Sequence, residues 1–200
     1  PFKLPPAILA DKLDDFQDII KKFNIKYDVD IVNHMLNNSL QKGPNACDVN
    51  NFGPIPQQSV HRQFDAPKLR ELRKAFDSNS LSQVEIEQLA IAMLDELPEL
   101  CLDYSGNTII QKLYDNCSPI IVDLMLRESH KYLTSMGIHK NGTWVSQKII
   151  KVVKTPRQMD FITKGIQDYC TALFNDQYGN YVIQGVLTFG FPWNSFIFEN

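Results

Sequence analysis

DQYGNYVIQGV, residues 176–186, sets a glycine ahead of two amides, an aromatic and two aliphatic residues in little more than a helical turn. The same arrangement occurs twice upstream, as DYSGNTIIQKL from Asp103 and HKNGTWVSQKI from His139. Gly106, Gly142 and Gly179 fall 36 and then 37 residues apart, and Gln111, Gln147 and Gln184 keep those intervals. Each copy follows an apolar helical stretch: Leu89 to Leu102, Ile120 to Leu133, Phe161 to Phe174. A helical unit that recurs every 36 residues or so is the signature of an α-solenoid, in which each unit buries its apolar face only by stacking on its neighbours.

Residues on a helix advance about 100° per step, so the first, second and fifth positions after each glycine share one face. Those positions are Asn107, Thr108 and Gln111 in the first copy, Thr143, Trp144 and Gln147 in the second, and Asn180, Tyr181 and Gln184 in the third. The third and fourth positions point away and are mostly apolar: Ile109 and Ile110, Val145 and Ser146, Val182 and Ile183. Stacking the units aligns three polar triplets into a ladder along a concave surface.

Upstream of the ladder the helical period continues. Leu9 to Phe23 and Asp30 to Leu40 read as amphipathic helices, and Ala66 to Phe76 as another with Leu69, Leu72 and Phe76 on one side. KGPNACDVNNFGPIPQQ, residues 42–58, has three prolines and two glycines and reads as an extended connector. Ser80 or Ser82 caps a further helix through Leu94, with Glu85 completing a capping box on Ser82. No segment alternates with the two-residue period of a strand, so the fold class is all-α.

The composition, 44% hydrophobic and 22% charged, is that of a packed globular chain, with no apolar run long enough to span a membrane. Cys47, Cys101, Cys117 and Cys170 are widely separated and lie in or beside apolar stretches, which points to buried free thiols in a reducing, cytoplasmic setting. His34, His61, His130 and His139 each lack a second ligand at metal spacing and read as surface or capping residues, so no metal site is expected. No nucleophile elbow, phosphate loop, zinc-helix motif or carboxylate pair is present, so no catalytic residue or cofactor is assigned. Net charge is −3, yet residues 127–165 carry eight Lys or Arg against only Glu128 and Asp160. That basic block, centred on Lys148, Lys151 and Lys154, lies beside the middle ladder helix, where it could meet phosphate.

The pentads NTIIQ, TWVSQ and NYVIQ resemble the base-reading helices of Pumilio (PUF) repeats, which read one RNA base per helical repeat. SGNTIIQKL, GIHKNGTW, KTPRQ, QYGNYVIQ and FGFPWNSFIFE are similar to the fungal PUF proteins that also carry an RRM domain, and the resemblance covers residues 66–200. It implies an α-solenoid of three-helix repeats. It also implies roles: the first and fifth pentad residues bond a base edge, while the second stacks. Asn180 with Gln184 and Asn107 with Gln111 would then read uracil, and Thr143 with Gln147 adenine. RNA runs antiparallel to the repeats in this family, so the implied core is 5′-U-A-U-3′. Thr143 departs from the Cys or Ser usual for adenine, and Thr108 offers no aromatic face.

The expected function is sequence-specific binding of single-stranded mRNA in 3′ regions, with repression or decay proteins as the family's partners. A protein-binding helical-repeat scaffold is the alternative, distinguished by a peptide rather than RNA on the ladder. Three bases at about 1–3 kcal/mol each leave a weak complex once association is paid for. Further repeats, an RRM or a second copy in a homodimer would supply the rest. The expected division is a helical cap with its Pro/Gly-rich connector over residues 1–60 and a truncated repeat array over 61–200.

Overall fold

The computed structural model describes residues 51–60 and 62–199. The helices expected over 9–23 and 30–40 lie outside them, as do Cys47, His34 and His61. Among the described residues every regular element is helical.

Three repeats each supply a long outer helix, a short middle helix and a ladder helix. The first comprises α2 (Gln83–Ala92), α3 (Leu97–Leu100) and α4 (Gly106–Asn116), preceded by α1 (Ala66–Asp77). The second comprises α5 (Pro119–Ser129), α6 (Leu133–Gly137) and α7 (Gly142–Val152). The third comprises α8 (Pro156–Ile166), α9 (Cys170–Asn175) and α10 (Gly179–Leu187), and α11 (Phe196–Glu199) follows. Outer helices stack on one another in the order α2, α5, α8, and ladder helices in the order α1, α4, α7, α10.

Local sequence explains most helix starts. The Asp65 carboxylate accepts from the Lys68 amide ahead of Pro67, and Ser82 and Glu85 form the expected capping box of α2. Thr155 and Gln158 form a second box on α8, again with proline in the first turn. Each cap satisfies backbone donors that have no partner inside the helix.

Each apolar stretch that reads as one helix is broken in the structure by a 3₁₀ turn, at Leu94–Glu96, His130–Tyr132 and Gln167–Tyr169. Pro98 accounts for the first break, because it has no amide to donate back to Leu94. The bend turns the short helices inward, so that Leu97, Leu100, Leu133, Met136 and Leu173 are fully buried between outer and ladder layers. Burying each such side chain stabilises the fold by about 1.5–3 kcal/mol.

Residues 51–60 and 62–65 form a strap without regular structure over the short helices. The Ser135 hydroxyl donates to the Pro54 carbonyl at 2.6 Å, and Ser59 N–H donates to Glu99 Oε2 at 2.9 Å. Further along, Gln63 and Phe64 donate their amides to the buried Glu96 carboxylate, and Arg62 pairs with Glu99 and Asp103. The strap thus crosses the repeats in reverse order, from the second to the first.

Candidate nucleic-acid interface

Each ladder helix begins on its glycine for a steric reason. A Cβ on Gly106 would lie 2.5 Å from the Leu100 carbonyl oxygen, on Gly142 2.6 Å from that of Met136, and on Gly179 2.8 Å from that of Leu173. The short middle helix presses its carbonyl against the start of the ladder helix, and only a residue without a side chain fits. The loop before each glycine is held by one side chain. Asp103 Oδ1 accepts from the Ser105 and Gly106 amides at 2.8 Å, and Asp176 Oδ1 from those of Tyr178 and Gly179 at 2.8 Å. In the middle repeat His139 takes this place, its Nδ1 accepting from Asn141 at 3.2 Å and Gly142 at 3.3 Å. That role requires a neutral imidazole. Burial and then the nearby Lys140 charge hold the His139 pKa below its ordinary value, which favours that form.

All nine ladder residues named from the sequence stand on α4, α7 and α10, and each triplet is brought together. Gln111 Nε2 donates to Asn107 Oδ1 at 3.1 Å, Gln147 Nε2 to Thr143 Oγ1 at 3.0 Å, and Gln184 Nε2 to Asn180 Oδ1 at 3.0 Å. Trp144 and Tyr181 are 59% and 53% exposed, unusual for large aromatics, whereas Thr108 is half-buried and small. The third and fourth pentad positions are fully buried in all three copies, and the Ser146 hydroxyl is satisfied by the Leu133 carbonyl at 3.2 Å.

The first pentad position differs from the open polar face that helical periodicity implies. Asn107 and Thr143 are buried, and Asn180 is half-buried, because the preceding loop folds over them. The asparagines use that contact. Asn107 Nδ2 donates to the Asp103 and Tyr104 carbonyls at 2.8 Å, and Asn180 Nδ2 to those of Asp176 and Gln177 at 2.9 and 3.0 Å. Both side chains are locked with the carbonyl oxygen turned toward the glutamine, an orientation that a flip of the amide would spoil by setting oxygen against oxygen.

The register between ladder helices is marked by ion pairs. Lys148 of α7 reaches Asp115 of α4 at 2.7 Å, as Lys112 of α4 reaches Asp77 of α1 at 2.6 Å. At the α7–α10 junction Gly185 stands in the lysine's place and Lys151 in the aspartate's. An open groove forms there, lined by Gln147, Trp144, Tyr181, Lys148 and Lys151 and reaching Gln111. Gly185 in place of lysine and Lys151 in place of aspartate, both visible in the aligned copies, are the signals in the sequence for this groove.

The model of the Pumilio-family RNA binding repeat matches residues 97–130, 133–166 and 175–192, the three units just described. These are Pumilio repeats. Among the relatives of the chain is the mRNA-binding protein PUF2 of Saccharomyces cerevisiae, 62% identical over 197 residues, which are 96% of this chain and 18% of that protein. The chain therefore spans about a fifth of that relative's length. The PUM-HD domain of S. pombe Puf1, solved in complex with RNA, superposes with a TM-score of 0.76 at 42% identity over 96% of this chain and 49% of that one. The Puf4 RNA binding domain, bound to the HO endonuclease RNA 3′ UTR recognition sequence, gives 0.61 at 27% identity over 70% of this chain and 44% of that one. The Pumilio ladder helices here are α4, α7 and α10, each the third helix of its repeat.

Proposed function

We propose that this Pumilio array binds single-stranded RNA sequence-specifically, reading 5′-U-A-U-3′ with α10, α7 and α4 in that order. The observation that carries this reading is the locked amide pair repeated on α4 and α10, with a hydroxyl and amide between them on α7. With Asn Nδ2 engaged by the backbone, Asn107 and Asn180 offer only an acceptor, and the neighbouring glutamine offers a donor. Uracil supplies a complement, an N3–H that donates to the Asn oxygen beside a carbonyl that accepts from the glutamine. On α7 Gln147 gives one amide hydrogen to Thr143 Oγ1 and keeps its other hydrogen and its carbonyl oxygen, which suits the N1 and N6 edge of adenine. Trp144 and Tyr181 stack on successive bases, and Lys148 and Lys151 line the groove where phosphate would pass.

The domain division that accompanies this reading is a helical cap with its connector over 1–60 and the repeat array over 61–200. We further place the chain with the fungal PUF proteins that carry an RRM, acting in the cytoplasm on mRNA 3′ regions and recruiting repression or decay proteins. The 3′ UTR sequence bound by Puf4 and the mRNA binding of PUF2 support that setting. An RRM, more repeats or a homodimer would add affinity. Selection from a randomised RNA pool tests the proposal: enrichment of U-A-U is expected, and a pool that stays random at those three positions would overturn it.

A further inference from the structure

The ladder layer holds a fourth helix. α1 packs on α4 as α4 packs on α7 and α7 on α10, yet it lies upstream of the residues that match the repeat model. The ion pairs fix its register. Lys112 and Lys148 are equivalent, each six residues after its glycine, so their partners Asp77 and Asp115 are equivalent too. Burial agrees at Phe76, which takes the place of Tyr114 and is buried like it, while Leu72 is half-buried in the place of Ile110 and Glu71 exposed in that of Ile109.

In this register Leu69 occupies the position of Asn107, Arg70 that of Thr108 and Arg73 that of Gln111. Leu69 is fully buried and offers nothing to a base edge. Arg70 is exposed, and Arg73 is held only by a 3.9 Å pair to Asp77 within its own helix, open to solvent on both sides. Such a pair yields readily to a stronger partner. Lys74 is exposed one step further round. Glu71 falls at the position of Ile109, turned off the ladder face.

We propose that α1 is a fourth rung that holds the nucleotide 3′ of the U-A-U core without selecting its base. The Arg70 guanidinium stacks on the base plane, and Arg73 with Lys74 faces its phosphate. Arginine suits this role because its planar cation both stacks and binds phosphate in a fork. The 3′ placement rests on the antiparallel RNA reading above.

The test compares two RNAs on the full chain, one ending at the 3′ uracil of the core and one carrying a single added 3′ nucleotide, by fluorescence anisotropy. The added nucleotide should tighten binding about 10-fold, with all four bases within about 3-fold of one another, as stacking is sequence-tolerant. Arg70→Ala should abolish that gain while leaving the shorter RNA unaffected, and Arg70→Lys should restore only part of it. No gain on extension, or a gain that survives Arg70→Ala, overturns the fourth rung. Asn107→Ala with Gln111→Ala should weaken both RNAs; if it weakens neither, the base-reading proposal fails instead, and if neither RNA binds, both fall.

Discussion

Gln184 donates to Asn180 Oδ1 at 3.0 Å while the Asn180 amide nitrogen is held by the carbonyls of Asp176 and Gln177. The pair is therefore set before any base arrives, with an acceptor at its centre. Replacing it by Asn180→Ser with Gln184→Glu turns the fifth position into a carboxylate, which accepts from both N1–H and N2–H of guanine. The preference at the 5′ base should move from U to G by about 10-fold or more, since hydrogen bonds to a charged group contribute about 1.5–3 kcal/mol. Competition binding with RNAs that differ only at that base measures it, and an unchanged preference would argue against direct readout.

Stacking and edge reading are carried by different side chains, so they should separate experimentally. Trp144→Ala should weaken every RNA by about 1–3 kcal/mol without altering which base is preferred. Thr108→Tyr should do the reverse in affinity, supplying the aromatic plane that α4 lacks. A change of base preference in either variant would contradict the division of roles.

The glycine contacts make a prediction whose sign is informative. Helix propensity alone favours alanine over glycine by about 1 kcal/mol. A methyl on Gly106 or Gly142 would meet a backbone oxygen at 2.5 or 2.6 Å, so Gly106→Ala and Gly142→Ala should instead destabilise the chain by about 1–3 kcal/mol. Urea denaturation distinguishes the two outcomes directly.

His139 gives the middle repeat a dependence on pH that its neighbours lack. Its folded pKa lies below the ordinary 6.5, because burial and then Lys140 disfavour the cation. The folded state therefore binds fewer protons than the unfolded chain in that range. Its stabilising contribution is complete above pH 6.5 and is lost as pH falls below that value. His139→Asp, which copies Asp103 and Asp176, should flatten stability between about pH 7 and pH 5. Thermal melts of the two proteins across that window provide the measurement.

The ladder was legible because three glycine-led pentads repeat with the same spacing, and burial of Ile109, Ile110, Val182 and Ile183 follows from helical period alone. The 3₁₀ breaks were not, since only Pro98 marks one of them and the others run through residues that a helix accepts. Burial of Asn107 and Thr143 was also hidden, because it comes from a loop folding back rather than from periodicity. The place of α1 in the layer depends on Lys112 meeting Asp77 across 35 residues, a pairing with no local signature.

The strap of residues 51–60 and 62–65 bears on how the array comes apart. A solenoid joined only through adjacent units can fray one unit at a time from either end. Here the Pro54 carbonyl is bound by Ser135, 81 positions away in the chain, and Glu96 of the first repeat holds the amides of Gln63 and Phe64. Releasing the first repeat therefore also frees a tether on the second, and unfolding becomes more all-or-none than repeat counting would give. The same tether raises the mean sequence separation of native contacts, so the chain should also fold more slowly than a plain stack of helices.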